Sequence, residues 1–427
     1  MEVIITILLF VLLFLFLIIG VPIAFAMILA GTFSIIMIDP RLLPQVVNTF
    51  MVYGTNGTLL VAPMFILMAE ILVAGKFSSD LFSSIHKWFS RVRGSLPLSS
   101  VLAAAGFSSV SGSSTATVVT IARVSAPYML EQNYDKKLVS GSIVTGGTLG
   151  ILIPPSMAMI IYGIVTETSI LKLFIGGVIP GIVLTLLLSV YIYIFSVINP
   201  KAAPLGVSYS WFDRFTSLKN VIPIALLCLL VIGSMYTGIT TPTESASLGV
   251  VVALVVALVM KRLTWDGFKD ALIRSAGLST MIMFFVFGGM IFAFVVAYLG
   301  IPNMLLETIS QWALQPWLVL LIVLLFLILL GMFMDPISIM ILTLPIIFPV
   351  ITSLGYDPIW FGIIVVITAE LGLITPPIGL NLFVLKTCIP ELDLYNDIIK
   401  GALPFILVLL LMIVILVAFP GLVTVLI

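Results

Sequence analysis

Apolar residues run through this chain in long unbroken stretches, not in the alternating or helical stripes of soluble elements. A bilayer core takes about 20 apolar residues per helix. Candidate spans lie near 4–19, 21–37, 54–75, 137–166, 172–197, 220–237, 243–260, 276–299, 358–387 and 403–425. Two further apolar stretches, 97–125 and 317–347, are broken in the middle, by Ser111-Gly112-Ser113-Ser114 and by Gly331-Met332-Phe333-Met334-Asp335-Pro336. Each is expected to enter the membrane and turn back as a re-entrant helical hairpin. Transmembrane strands would give segments of about ten residues with alternating polarity. The pattern therefore predicts an all-α polytopic membrane protein.

Charge placement orients these spans. Lys76, Lys87, Arg91 and Arg93 form one basic stretch, Lys136 and Lys137 a second, Lys201, Arg214 and Lys219 a third, and Lys261, Arg262, Lys269 and Arg274 a fourth. All four fall on one side if the two broken segments are hairpins, and the loops Gly300–Gln315 and Thr352–Pro358 contain no Lys or Arg. By the positive-inside rule the basic side is cytoplasmic, which puts the N-terminus outside the cytoplasm. Ser78–Arg91 and Leu263–Ala276 then read as amphipathic helices on the cytoplasmic surface. The first 19 residues have no basic leader and run into a second apolar stretch, so a retained first helix is expected.

Composition narrows the function. The 427 residues are 62% hydrophobic and 8% charged, with 18 Lys and Arg against 18 Asp and Glu. Soluble domains carry about 25% charged residues, and nucleic-acid binding needs a basic face; neither fits. Cys228 and Cys388 lie far apart in apolar segments, where core thiols are expected. His86, among Lys87, Arg91 and Arg93, is expected to face solvent or headgroups. With no Walker-type loop, His/Cys cluster or nucleophile elbow in the sequence, ATP hydrolysis and membrane enzymology are not expected.

An internal repeat sharpens the fold. Leu149-Gly150-Ile151-Leu152-Ile153-Pro154-Pro155 recurs as Leu371-Gly372-Leu373-Ile374-Thr375-Pro376-Pro377, Tyr134-Asp135 as Tyr356-Asp357, and Pro127 as Pro349. Pro22 pairs with Pro242, and Gly177 and Pro180 pair with Gly401 and Pro404. The expected halves are residues 1–198 and 220–427, joined by a cytoplasmic linker over 199–219. Each half holds five crossings and one hairpin; five is odd, so the second half must be inverted. Inverted repeats with paired interruptions mark secondary transporters whose site lies near the midplane.

Candidate chemistry gathers at those interruptions. The hydroxyl-rich Ser108–Thr117 can serve helix packing or, at a hairpin tip, cation binding through hydroxyls and unwound carbonyls. Glycine and proline at Gly147-Thr148-Leu149-Gly150 and Pro154-Pro155 free carbonyls that need a partner in the membrane. One Na⁺ site is therefore expected at Ser108, Ser111, Gly112, Ser113, Ser114, Gly147, Thr148, Gly150 and Pro154. A second is expected at Met334, Asp335, Ser338, Thr368, Glu370, Gly372, Thr375 and Pro376. An anionic substrate is expected against Ser114, Thr115, Pro155, Ser156, Pro377 and Asn381, where half-helix N-termini offer N–H groups. Of the other ionisable residues in spans, Glu244 can cap a helix or act in function, and Glu70 and Arg123 are open to either reading.

Ser111-Gly112-Ser113-Ser114-Thr115-Ala116, Gly147–Ser156, Thr241-Pro242-Thr243-Glu244-Ser245-Ala246 and Glu370–Asn381 together resemble the large membrane subunit, or M subunit, of TRAP (tripartite ATP-independent periplasmic) transporters, within a wider ion-transporter superfamily. The resemblance spans essentially the whole chain. It implies an elevator-type Na⁺-driven importer in the bacterial inner membrane, taking up organic acids such as C4-dicarboxylates, sialic acid and other sugar or keto acids. It also implies two or more Na⁺ ions, a periplasmic substrate-binding protein, and a small four-helix membrane subunit on a separate chain. A binding-protein-independent symporter or exporter of the same superfamily, an H⁺-coupled carrier using Asp335 and Glu370, and a channel are the competing readings.

Overall fold

The computed structural model describes residues 2–204, 206 and 208–427. Helices account for all the regular structure among them. The first half runs through α1 (Glu2–Ile18), α2 (Ile23–Ile38), α3 (Pro44–Gly54), α4 (Val61–Ala74), α5 (Phe77–Phe89), α6 (Ser95–Ser111), α7 (Ser114–Glu131), α8 (Lys136–Thr148), α9 (Met157–Val165) and α10 (Ile170–Ile198). The second runs through α11 (Trp211–Tyr236), α12 (Pro242–Val259), α13 (Trp265–Tyr298), α14 (Ile301–Gln311), α15 (Pro316–Gly331), α16 (Pro336–Ser353), α17 (Pro358–Leu373), α18 (Leu380–Cys388), α19 (Lys400–Ala418) and α20 (Gly421–Thr424). Among the described residues six helical stretches are long and apolar enough to cross a bilayer, and a seventh, α11, bends by 49° between Trp211–Lys219 and Val221–Tyr236. The protein is an all-α, multi-pass membrane protein.

Several repeated residues have a local structural cause. Asp135 accepts hydrogen bonds from the Lys137 and Leu138 amides and caps α8. Asp357 does the same for α17 through the Trp360 amide at 2.8 Å. The recurring Tyr-Asp pairs are thus two copies of one helix start, since an N-cap carboxylate satisfies amides that have no partner inside the helix. At the other end, Pro154-Pro155 and Pro376-Pro377 interrupt the chain between α8 and α9 and between α17 and α18; both Pro-Pro peptide bonds are cis.

Both broken segments fold as pairs of side-by-side helices, α6 with α7 and α15 with α16. By length alone α16 could cross the membrane unaided, yet its start at Pro336 sits at the tip beside the end of α15. Helices α1, α2, α4, α12 and α13 pack chiefly on one another, and α11 packs on α12 and on α5. The hairpins, the interrupted helices, α10 and α19 form a second group. Within that group the halves interlock: α9 packs on α16, and α18 packs on α7.

Two expectations need correction. Leu263–Ala276 does not lie apart; Thr264 caps a helix that continues from Trp265 without a break into the membrane span of α13. Nothing in this segment stops a helix, because it has no proline and its one glycine, Gly267, sits inside a regular turn. The first-half α3 occupies the corresponding place as a separate helix, and Phe50 packs on Phe287 of α13 at 4.7 Å. Helix α5 does form, and it packs against α6 and α11. His86 is correspondingly buried, between Phe82 and Tyr209, where solvent or headgroup exposure was expected. The apolar Phe82 one turn earlier turns that face of α5 inward, and Tyr209 closes over it.

Candidate functional site

The first hairpin tip is shaped by Gly112, whose φ of +58° takes it into the left-handed region. Its amide closes α6 onto Ser108 O at 3.2 Å. Ser113 then caps α7 by accepting from the Ala116 amide at 3.4 Å. Thr117 Oγ1 donates to Ser113 O at 2.8 Å and lies 2.8 Å from Ser111 Oγ. Thr117 was not among the expected ligands; its place one turn below Ser113 was the available signal.

The interrupted helix comes directly to this tip. A Cβ on Gly150 would fall 2.6 Å from Ser113 O, so only glycine admits that approach. The Met157 amide donates to Gly112 O at 3.3 Å. Ser111–Ser114 and Gly147–Ser156 are therefore brought together. Ser108 Oγ donates to Ala104 O at 2.5 Å, Thr148 Oγ1 to Thr145 O at 2.7 Å, and Ser156 Oγ to Ile151 O. With their protons committed to carbonyls, these hydroxyls have only lone pairs to offer, which suits a cation better than an anion. Thr115 lies 3.4 Å from Ser113 Oγ, while Pro154 and Pro155 are buried.

The second tip repeats the plan with a carboxylate. Asp335 occupies the position of Ser113: its Oδ1 accepts from the Ser338 amide at 3.1 Å, and its Oδ2 accepts from Ser338 Oγ. The Gly379 amide donates to Met332 O at 3.0 Å, in the place of the Met157–Gly112 bond. Gly331 lies so close to Gly372 that a Cβ on the former would fall 2.8 Å from the latter's Cα. Met334 and Asp335 are half-buried and Pro377 is exposed, whereas its counterpart Pro155 is buried. Thr375 Oγ1 bonds Leu371 O at 2.5 Å, next to Pro376.

Glu370 departs from the expected grouping. Its Oε2 accepts a 2.9 Å hydrogen bond from Ser114 of the first hairpin, not from anything near Asp335. Asn381 Nδ2 donates to the same Ser114 Oγ at 2.8 Å. All three side chains are buried, and Glu370 Oε1, Asn381 Oδ1, Thr368 Oγ1 and Thr145 Oγ1 have no hydrogen-bond partner among the described residues. The packing of α18 on α7 brings this about, and the separations of 256 and 267 residues hid it from the sequence.

The remaining candidates divide. Glu244 completes a capping box with Thr241 at the start of α12, which is the cap reading. Arg123 is exposed and Glu70 is half-buried on α4; neither bonds to the two tips. Cys228 packs on Ser109 at 3.2 Å, and both cysteines are free. Among the described residues no three His, Cys, Asp or Glu side chains converge as a metal site. The donors at the tips are hydroxyl, carbonyl, amide and carboxylate oxygens, the hard ligands that alkali and alkaline-earth cations take.

The family model for the tripartite ATP-independent periplasmic transporter, DctM component, matches residues 10–422. The chain belongs to this family. The C4-dicarboxylate TRAP transporter large permease protein DctM of Pseudomonas aeruginosa is 37% identical over 394 residues, 92% of this chain and 91% of the relative. The ectoine/5-hydroxyectoine TRAP transporter large permease protein UehC of Ruegeria pomeroyi is 34% identical over 366 residues, 85% and 84% of the two chains. Among solved structures, the Alcanivorax borkumensis YdaH transporter aligns with a TM-score of 0.64 at 17% identity, covering 89% of this chain and 88% of that one, a likeness of fold. This protein is accordingly a TRAP transporter large permease, a transport subunit and not an enzyme.

Proposed function

We propose that this permease is the large membrane subunit of a Na⁺-coupled secondary importer of organic acids in the bacterial inner membrane, with its N-terminus periplasmic. A periplasmic binding protein delivers the substrate, and a small four-helix subunit on a separate chain supports the permease. The observation that carries the reading is the Glu370–Ser114–Asn381 cluster, which joins the two halves while leaving buried carboxylate and amide oxygens open. Such oxygens in a membrane interior call for a cation partner. Two Na⁺ sites, one at each hairpin tip, fit the paired caps of Ser113 and Asp335.

In this scheme residues 1–198 and 220–427 are inverted repeats around a cytoplasmic linker. The helix group holding both hairpins carries Na⁺ and substrate as an elevator against the group built from α1, α2, α4, α11, α12 and α13. Coupling requires Na⁺ to bind the substrate-competent state more tightly than the empty one. The substrate is an organic anion, a C4-dicarboxylate or a sugar or keto acid such as sialic acid; the two relatives above are named for a dicarboxylate and for ectoine. The test is uptake in proteoliposomes with the binding protein and the small subunit. Uptake driven by an inward Na⁺ gradient and abolished without binding protein is expected; uptake by the permease alone would overturn the assignment. A second reading, proton coupling, rests on the unpartnered Glu370 Oε1, and uptake driven by a pH gradient without Na⁺ would favour it.

A further inference from the structure

The junction of α5 with the first turns of α11 lies apart from the transport site. Ser84 Oγ donates to Ser217 O at 2.8 Å, tying the two helices together, and within α11 Ser217 Oγ donates to Arg214 O at 2.7 Å. Arg214 is only 7% exposed, and its guanidinium lies 4.9 Å from the centre of the Trp211 ring. Its Nε and Nη2 have no hydrogen-bond partner among the described residues, and neither has Trp88 Nε1. Trp88 belongs to the same cluster, with its ring 6.4 Å from Trp211 and 5.5 Å from Phe215.

A guanidinium is always charged, and a buried charge without a counter-ion is costly. The adjacent carboxylate does not serve: Asp213 Oδ2 accepts from Ser210 N at 3.2 Å and Ser210 Oγ at 2.7 Å, and it faces solvent. Among the described residues the one ion pair is Arg262 with Asp80. The unpartnered N–H groups of the Arg214 fork and of the Trp88 indole are donors of the kind that pair with phosphate oxygens. The surroundings identify where such a phosphate comes from. Trp211, Phe212 and Phe215 are 62%, 79% and 60% exposed, as aromatic residues are at a membrane interface. The first turns of α11 are bent by 49° from the rest of that helix, and Lys87, Arg91, Arg93 and Lys219 add positive charge in the flanking sequence.

We infer that Arg214 and Trp88 bind the phosphodiester of an anionic glycerophospholipid in the basic-side leaflet, with its acyl chains running beside Phe212 and Phe215. The test is native mass spectrometry of the purified full chain in detergent, titrated with phosphatidylglycerol, phosphatidylcholine or inorganic phosphate. One retained phosphatidylglycerol is expected, with about tenfold preference over phosphatidylcholine and no retained phosphate. Arg214→Gln should weaken that binding about tenfold, Trp88→Phe by a smaller factor, and Lys269→Gln, on exposed surface elsewhere, should leave it unchanged. Trp88→Phe keeps an aromatic ring and removes the indole N–H, so it decides the matter if the arginine variant does not fold. Equal binding of phosphatidylcholine, retention of free phosphate in preference to the lipid, or unchanged phosphatidylglycerol binding in every folded variant at these two positions would overturn the inference.

Discussion

Ser114 donates to Glu370 and accepts from Asn381, at 2.9 and 2.8 Å, so one hydroxyl at the start of α7 bonds two buried side chains of the other half. Removing it leaves a carboxylate oxygen and an amide N–H unpaired. Unsatisfied buried groups cost about 1–3 kcal/mol each, more when charged. Ser114→Ala should therefore lower the melting temperature in detergent and cut uptake at least tenfold. Combined with Glu370→Ala, which removes the acceptor, the two losses should be far from additive, because both changes break the same bond. Additive losses in that double-mutant cycle would separate the residues.

Glu370→Gln alone keeps an acceptor for Ser114 and removes the charge. If Glu370 ligates Na⁺, the Na⁺ concentration for half-maximal uptake should rise about tenfold or more, and saturating Na⁺ should restore part of the rate. If it carries a proton, no Na⁺ concentration should rescue the variant, and the pH dependence of uptake should flatten. Na⁺ titrations at two pH values distinguish these outcomes.

Ser113 and Asp335 are equivalent caps with different charge. Asp335→Ser keeps a good N-cap, so its melting temperature should stay near that of the native chain, while Asp335→Ala should lose about 1 kcal/mol. Na⁺ affinity should fall in both if the charge matters to the second site. Retained Na⁺ affinity in Asp335→Ser would assign this carboxylate to capping alone.

What could be read from the sequence was whatever a short segment determines. The Asp135 and Asp357 caps, the Pro-Pro interruptions and the Gly112 turn each act within a few residues, so their spacing revealed the repeat and both tips. The Ser114–Glu370 contact was not legible because it depends on α18 packing against α7 across more than half the chain. The repeat groups Glu370 of the broken helix with Asp335 of the second tip, but the repeat does not show which side chains meet across the two halves. His86 was misplaced for the same reason: its basic neighbours are local, whereas Tyr209, which covers it, belongs to the segment before α11.

The contact between Gly331 and Gly372 gives a steric test of the second tip. A methyl on Gly331 would lie 2.8 Å from Gly372 Cα and 3.1 Å from Ala369 O, and these are backbone atoms that cannot rotate away. Overpacking of this kind typically costs about 1–3 kcal/mol. Gly331→Ala should destabilise the protein in a thermal melt, whereas Gly277→Ala, with open space around it, should be neutral or slightly stabilising. Equal melting temperatures would show that α15 and α17 can separate without loss.

His86 supplies a pH dependence outside the transport site. Burial lowers its pKa below the ordinary value of about 6.5, and Nδ1 has no partner among the described residues. The folded protein thus prefers the neutral imidazole, and on acidification the unfolded chain takes up the proton first. Stability that depends on neutral His86 is fully present above the unfolded value and is lost as pH falls through it toward the lower folded value. Melting curves between about pH 8 and pH 5 should show a steeper acid loss in the native protein than in His86→Phe, which keeps the aromatic contact with Phe82 and cannot titrate. Parallel curves would mean that the imidazole finds a compensating partner when protonated.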